Sequence, residues 1–266
     1  MCTIGAVRLE NGAIALFKNK DFALPTFSDQ VVFNQQMFGC AGLETFAECD
    51  ASEPVFSGLS IGANKQGLLV AVNHVKISDS THRNYDLLTE TALRAAADVL
   101  QGIELIRAEV SARPYWWGNL ILADKSSFAI VEVRGQELQV QISKNNVFRT
   151  NHQPMFGEVA SPDKLPCSAQ RYTSTLARLE AVSNLKGLKA MLSSHDDGNT
   201  GICNHGQPLT TVYSYILCHH LGRTTAYIAN GLPCKSKWVE LNLPFGASWT
   251  SDKANAVLQA YPNAAA

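Results

Sequence analysis

Residues 1–22 read MCTIGAVRLENGAIALFKNKDF, and the fold is decided there. Two apolar runs, 3–9 and 13–19, flank Glu10-Asn11-Gly12. Asn-Gly between alternating apolar runs is a strong short-range hairpin signal. Such a hairpin folds Lys18–Asp21 back beside Cys2. If Met1 is removed, Cys2 carries a thiol and a free α-amine on one residue. A thiol titrates near ~8.5 and an α-amine near ~7.7–8.0, so the amine can take the thiol proton at neutral pH, directly or through a water. Nucleophile and general base then belong to a single residue. Taken alone, a Met-Cys start also suits a small residue opening a strand, so the rest of the chain has to decide.

The bulk properties exclude several classes. The chain has 266 residues, 46% hydrophobic and 17% charged, with a net charge of −1. That is enough apolar material for a sizeable core, and it gives no electrostatic reason to bind nucleic acid or an anionic membrane. The first stretch carries Arg8 and Glu10 and lacks the apolar core of a signal peptide. No run approaches the ~18 apolar residues of a membrane span. Seven cysteines, an odd number without a secretion signal, fit reduced thiols and a cytoplasmic setting. Only the tail YPNAAA, 261–266, reads as frayed.

Further along, VFSGLSIGANKQGLLVAVNHV (55–75) repeats the strand–turn–strand pattern. The Ala/Leu-rich stretch 86–101 predicts a helix stopped by Gly102, with a second helix over 103–112. Three strands are expected in 116–143, helices in 168–182 and 185–194, and closing strands in 210–220, 223–230 and 237–243. Grouped helices between sets of hairpins argue for a layered α+β architecture with antiparallel sheets. No glycine-rich phosphate loop joins a strand to a helix.

Amide chemistry needs groups that hold the amine and the developing oxyanion. Lys18 and Asp21 are candidates by their place opposite Cys2, although charges at a strand end are also met simply by solvent. Asn73 is a polar amide at the end of an apolar strand, where it serves an oxyanion or the local backbone equally well. Asn151 follows a short strand, and Arg171 lies in the opening turns of a helix. CNH at 203–205 and CHH at 218–220 lack the paired Cys-x₂₋₄-Cys or His-x₃₋₅-His spacing of structural zinc, so neither is taken as a metal site. HDDGN (195–199) lacks the alternating acids of a calcium loop and reads as a loop.

Taken in order, MCT…FKNKDF, NKQGLLVAVN (64–73), RTNHQ (149–153) and LPCSAQRYTSTL (165–176) resemble the choloylglycine-hydrolase-like N-terminal-nucleophile (Ntn) amidases, which include penicillin V acylases and bile-salt hydrolases. SSHDDGNTGICNH (193–205) and 210–243 are closer to the acyl-coenzyme A:isopenicillin-N acyltransferase family, which includes β-alanyl-amine hydrolases. The resemblance implies one Ntn-hydrolase domain over 1–266, a four-layer αββα sandwich of two antiparallel sheets flanked by helices. It matches Cys2 to the nucleophile, Asp21 to the carboxylate that binds its amine, Asn73 and Asn151 to the asparagines around amine and oxyanion, and Arg171 to a supporting arginine. Lys18 stands where the family usually has arginine, which keeps the charge without the planar fork. The acyltransferase family cleaves a propeptide before its cysteine. Only Met1 precedes Cys2 here, so no propeptide and no autocleavage are expected.

The expected activity is hydrolysis of a linear N-acyl amide through an acyl-enzyme, with transfer of the acyl group to an amine as the alternative. A Cys-His hydrolase using Cys203 or Cys218, or a non-catalytic relative, stands as a different class. No cofactor or metal is expected. The partner is a small N-acyl amide, neither nucleic acid nor membrane, and a homo-oligomer is compatible with the sequence. The acyl pocket is expected from loops within 23–46 and from Tyr115–Trp117, stretches that carry few cations for a phosphate-bearing carrier such as coenzyme A.

Overall fold

The computed structural model describes residues 1–23, 27–43, 56–76, 78–158, 166–196, 201–206 and 209–263. The opening hairpin forms as the sequence dictates. β1 (Cys2–Arg8) pairs antiparallel with β2 (Ile14–Phe22), and Cys2 lies opposite Lys20. β1 and β2 sit inside a six-stranded sheet of order β10-β1-β2-β11-β12-β13. Its other members are β10 (Val147–Arg149), β11 (Thr210–His220), β12 (Arg223–Asn230) and β13 (Val239–Leu243). A seven-stranded sheet runs in chain order through β3 (Val31–Phe33), β4 (Met37–Leu43), β5 (Phe56–Asn64), β6 (Leu69–Lys76), β7 (Tyr115–Ala123), β8 (Phe128–Gly135) and β9 (Glu137–Ser143).

Three apolar clusters define the layers. One, containing Ile4, Leu16, Ile61, Ala71, Ile121 and Tyr215, fills the space between the sheets. A second joins the outer face of the seven-stranded sheet to α1 (Asp86–Ala95) and α2 (Val99–Ala112). The third joins the other sheet's outer face, through Val7, Ala15 and Phe17, to α3 (Pro166–Leu179) and α4 (Leu185–Leu192). The result is a four-layer αββα sandwich of antiparallel sheets. Alternation along β2 explains how it serves two layers: Leu16 belongs to the inter-sheet core and Phe17 to the helical side. No helix among the described residues is long and apolar enough to cross a membrane.

Three expectations need correction. The helix over 86–101 is two helices, broken at Ala96–Asp98. The Asn64 side chain donates to the Leu93 and Ala96 carbonyls and so closes α1. The Asp98 carboxylate then caps α2 by accepting from the Gln101 N–H. Gly102 is therefore inside α2, where it serves close packing. A Cβ there would lie 2.6 Å from Cδ2 of Leu122 on β7. The tail is docked as well: α5 (Ser251–Ala260) precedes Tyr261, which is buried in the inter-sheet core. Of YPNAAA, only 264–266 lie outside the described residues.

Gly102→Val is expected to cost about 2 kcal/mol, the range for overpacking a closed helix–sheet contact. Urea unfolding checks it, and an unchanged midpoint would mean that Leu122 yields freely.

Candidate active site

The strand period separates the charged residues of β2. Lys18 and Lys20 share the face of Cys2, towards the other sheet, while Asn19 and Asp21 face α3 and α4 with Thr3. All of these side chains are buried. Cys2, Lys18, Lys20, Asp21, Ser60, Asn73, His74 and Asp86 line one cavity. Its open space is ≈ 20 Å³, room for little more than a single water.

Main-chain atoms of Cys2 are held from outside its strand. Its N–H donates to Oδ1 of Asn151 at 3.0 Å. Arg171, on α3, donates to the Cys2 carbonyl at 2.7 Å, to the Thr3 hydroxyl at 3.0 Å and to the same Asn151 oxygen at 2.7 Å. One planar guanidinium thus fixes the strand end and the asparagine together, which a lysine could not do. Asn151 is in turn clamped, its amide donating to the His74 carbonyl. The turn that bears it is held by Asn119, which donates to the Thr150 and His152 carbonyls at 2.9 and 3.0 Å. Just before that turn, Arg149 bonds Glu132 of the opposite sheet at 2.8 Å in a buried ion pair. Breaking such a pair from one side costs about 3–5 kcal/mol.

Asp21 accepts from the Thr211 hydroxyl at 2.7 Å, and its other oxygen lies 3.8 Å from Nε of Arg171 with no hydrogen bond. Burial pushes its carboxyl above the usual range, against the pull of Arg171, of the chain's ammonium and of Thr211. That leaves a buried acceptor with unused capacity beside the start of the chain. Lys18 donates to the Ser60 and Val72 carbonyls at 3.1 and 2.8 Å. Burial lowers its ammonium's pKa, while the Cys2 side chain and Asp86 oppose the shift. Asn73 gives its amide nitrogen to the carbonyls of Thr150 at 3.0 Å and Arg149 at 3.4 Å, leaving Oδ1 without a hydrogen-bond partner.

The structure thus brings together all six residues singled out from the sequence: Cys2, Lys18, Asp21, Asn73, Asn151 and Arg171. It adds groups that pattern reading passed over. Asp86, at the start of α1, is pushed up to about 6 by burial, partly offset by Lys18 and by Asn84. Its signal was a carboxylate opening a helix, which reads as an N-terminal charge on a surface. Lys20 donates to Asp29 at 3.0 Å. Asp29 also accepts from the hydroxyls of Tyr215 and Tyr261, both buried. The aromatic stretch expected to line an acyl pocket lies outside this cavity. Tyr115 and Trp116 belong to the core beneath α1 and α2, and Trp117 packs under Arg134. None of the three lines the cavity. Of the loops expected within 23–46, residues 24–26 and 44–46 lie outside the described residues.

A sequence model described as acyl-coenzyme A:6-aminopenicillanic acid acyl-transferase matches residues 7–204. The chain belongs to that family. The match begins after Cys2 and spans well over half of the protein. Solved structures similar to this chain include two variants of the conjugated bile acid hydrolase from Clostridium perfringens. One, a cysteine-to-alanine mutant, has a TM-score of 0.52 at 12% identity, covering 86% of this chain and 89% of that one. The other, an arginine-to-leucine variant, has a TM-score of 0.53 at 12% identity, covering 92% and 98%. At that identity the likeness is one of fold, the Ntn-hydrolase fold. No curated protein matches the chain. Membership places the protein among Ntn-type acyl amide hydrolases and acyltransferases.

Beside the cavity, the His74 imidazole is pushed down to about 3 by burial and by the positive chain start. An unfolded chain protonates this histidine near ~6.5, so between those values the unfolded state binds the extra proton and stability is lost as pH falls. Urea midpoints taken at about pH 7.5 and about pH 4.5 are expected to converge in His74→Gln relative to wild type. An equal drop in both proteins would assign the acid lability elsewhere.

Proposed function

We propose that the protein is an N-terminal cysteine amidohydrolase that cleaves a small linear N-acyl amide through a thioester on Cys2. The observation that carries this reading is the pair of grips on Cys2. Asn151 and Arg171 hold its main-chain nitrogen and carbonyl, while its side chain lines the same cavity as Lys18, Asp21 and Asn73.

Hydrolysis of the peptide bond before Cys2 frees the α-amine, which Asn151 and Asp21 then hold. The amine takes the thiol proton, directly or through one water, and the thiolate attacks the amide carbon. The buried Lys18 ammonium favours the thiolate. Asn73 meets the developing oxyanion together with a backbone N–H, giving up the longer of its two hydrogen bonds. The ammonium returns the proton to the leaving nitrogen as the C–N bond breaks. Water then attacks the thioester carbonyl, the amine again takes a proton, and the acid and the free thiol are released. Arg171 is a positioning residue, acting through the Cys2 carbonyl and Asn151.

The family match favours a second reading, in which an amine replaces water in the last step. Against a coenzyme A donor, the two cations that line the cavity among the described residues are committed, Lys18 to carbonyls and Lys20 to Asp29, so neither is free for a phosphate.

Mass spectrometry of the protein mixed with a panel of N-acyl amides is expected to find an acyl adduct on Cys2. Adducts formed only from acyl-coenzyme A thioesters would replace the hydrolase with the transferase. Cys2→Ala should lower turnover at least about 10³-fold with the fold retained, and Cys218→Ala should leave it unchanged; the reverse pattern would sink the assignment of Cys2.

Asp21→Asn should cost ~10²–10³-fold in rate. Because the amine must be neutral to accept a proton, kcat/KM should fall as pH drops below the ordinary amine range of ~7.7–8.0. A rate that stays flat between about pH 5 and pH 9 contradicts an amine base.

A further inference from the structure

On the helical side of the six-stranded sheet, four metal-binding side chains that do not line the cavity converge. His195 follows α4, Cys203 and His205 lie on the segment 201–206, and Cys234 lies in the turn after β12. Nε2 of His195 and Nε2 of His205 are 2.9 Å apart. The His205 nitrogen is also 3.5 Å from the Cys203 sulfur and 3.2 Å from the Cys234 sulfur, and the two sulfurs are 3.6 Å apart. All four donor atoms fall within 4.8 Å of one another. We propose that His195, Cys203, His205 and Cys234 hold one zinc ion in a closed tetrahedral structural site.

Hydrogen bonding cannot account for this arrangement. A single imidazole nitrogen offers one hydrogen or one lone pair, yet Nε2 of His205 has three polar atoms within 3.5 Å. A cation that accepts one lone pair from each of the four donors resolves the crowding. Bonds of about 2.0–2.1 Å to nitrogen and 2.3 Å to sulfur put tetrahedral edges at about 3.3–3.8 Å; the 3.5 and 3.6 Å separations lie in that range, while those of 2.9 and 3.2 Å are shorter and must open as the ion enters. Two thiolates and two neutral imidazoles are a borderline-soft set that selects zinc over calcium or magnesium. Binding displaces one proton from each thiol, and both protons leave to solvent, so two thiolates balance the dication. Cys234 is exposed, which gives the ion a way in.

The ligands are carried on a braced frame. Asn19 of β2 donates to the Leu192 and Ile202 carbonyls at 2.9 and 2.8 Å, holding the end of α4 against the 201–206 segment. Gly201, at φ +122°, lets that segment touch the backbone of His195 and Asp196, where a Cβ would be 2.9 Å from both. Asn204, between two ligands, accepts the Gly206 N–H at 2.9 Å and donates to the Leu209 carbonyl at 2.8 Å. Its own N–H donates to the Thr211 hydroxyl oxygen at 2.9 Å, which turns that O–H onto Asp21. The site therefore braces a carboxylate of the cavity two hydrogen bonds away. Spacing along the chain concealed it, because the ligands come from three separated segments.

The test is metal content, which is independent of whether the protein turns over any amide. Protein prepared under reducing conditions without chelators is expected to carry about one zinc per chain by inductively coupled plasma mass spectrometry. Cobalt substitution should give thiolate-to-cobalt charge transfer with tetrahedral d–d absorption. Cys234→Ser, a conservative change at an exposed position, and His205→Ala should each lower zinc at least about tenfold. Cys218→Ser and Cys2→Ala should keep it, which separates this site from the cavity. Zinc unchanged in both ligand variants, copper in its place, no metal taken up from added zinc chloride, or a Cys203–Cys234 disulfide in the reduced preparation would each overturn the proposal. If Cys234→Ser and His205→Ala fail to fold, the cobalt spectrum of the wild-type chain decides on its own.

Discussion

The antiparallel pairing of Cys2 with Lys20 sets the geometry on which the rest depends. Because side chains alternate along a strand, that register sends Cys2, Lys18 and Lys20 between the sheets and Thr3, Asn19 and Asp21 towards the helices. A shift of β1 by one residue would turn over its own side chains and leave those of β2 in place. The cysteine would then face α3, parted from Lys18 and Lys20. The Arg171 contacts to Cys2, Thr3 and Asn151 pin the same register from the helical side. A single guanidinium thus reads the backbone of one strand and the side chain of a turn after another.

Burial gives these contacts their force. In water, an arginine near a carboxylate and two amides would contribute a fraction of a kcal/mol. Here both Arg171 and Asp21 are almost fully enclosed, and the low local dielectric strengthens each bond that is made and penalises each one that is not. One oxygen of Asp21 and one of Asn73 remain unmatched. Such groups are costly in a core and useful in a site, because an incoming ammonium or amide can satisfy them. They lie around Cys2, beside a cavity with room for little more than a water.

Much of this was legible in the sequence, for identifiable reasons. Asn11-Gly12 and Gly67 mark tight turns, so the hairpins could be placed, and with them the approach of Lys18 and Asp21 to Cys2. Asn73 and Asn151 stood out as amides at strand ends. What remained hidden depends on partners distant in the chain. The break between α1 and α2 is made by Asn64 from a neighbouring strand, and no local propensity reports that. Tyr115 and Trp116 turn to the helices because β7 is irregular where it passes Gly118. Asp86 joins the cavity only because α1 packs its first turn against β4 and β5, where glycines 42 and 58 leave room for it.

The contact between Asp29 and Tyr261 has a consequence for the order of assembly. Asp29 is shared by Lys20 of the second strand, Tyr215 of the eleventh and Tyr261, which follows the last helix. Lys20 meets Asp29 nine residues on, yet Asp29 gains its last hydrogen-bond donor only after almost the entire chain has been synthesised. Closing a loop of more than two hundred residues before the contact repays it is entropically slow. On a translating ribosome the Lys20–Asp29 pair would thus wait without the Tyr215 and Tyr261 hydroxyls, and the inter-sheet space around it would stay open to water. Completion of this inter-sheet network and arrival of the chain's end are one event, and a chain cut short before Tyr261 would leave Asp29 one hydroxyl short.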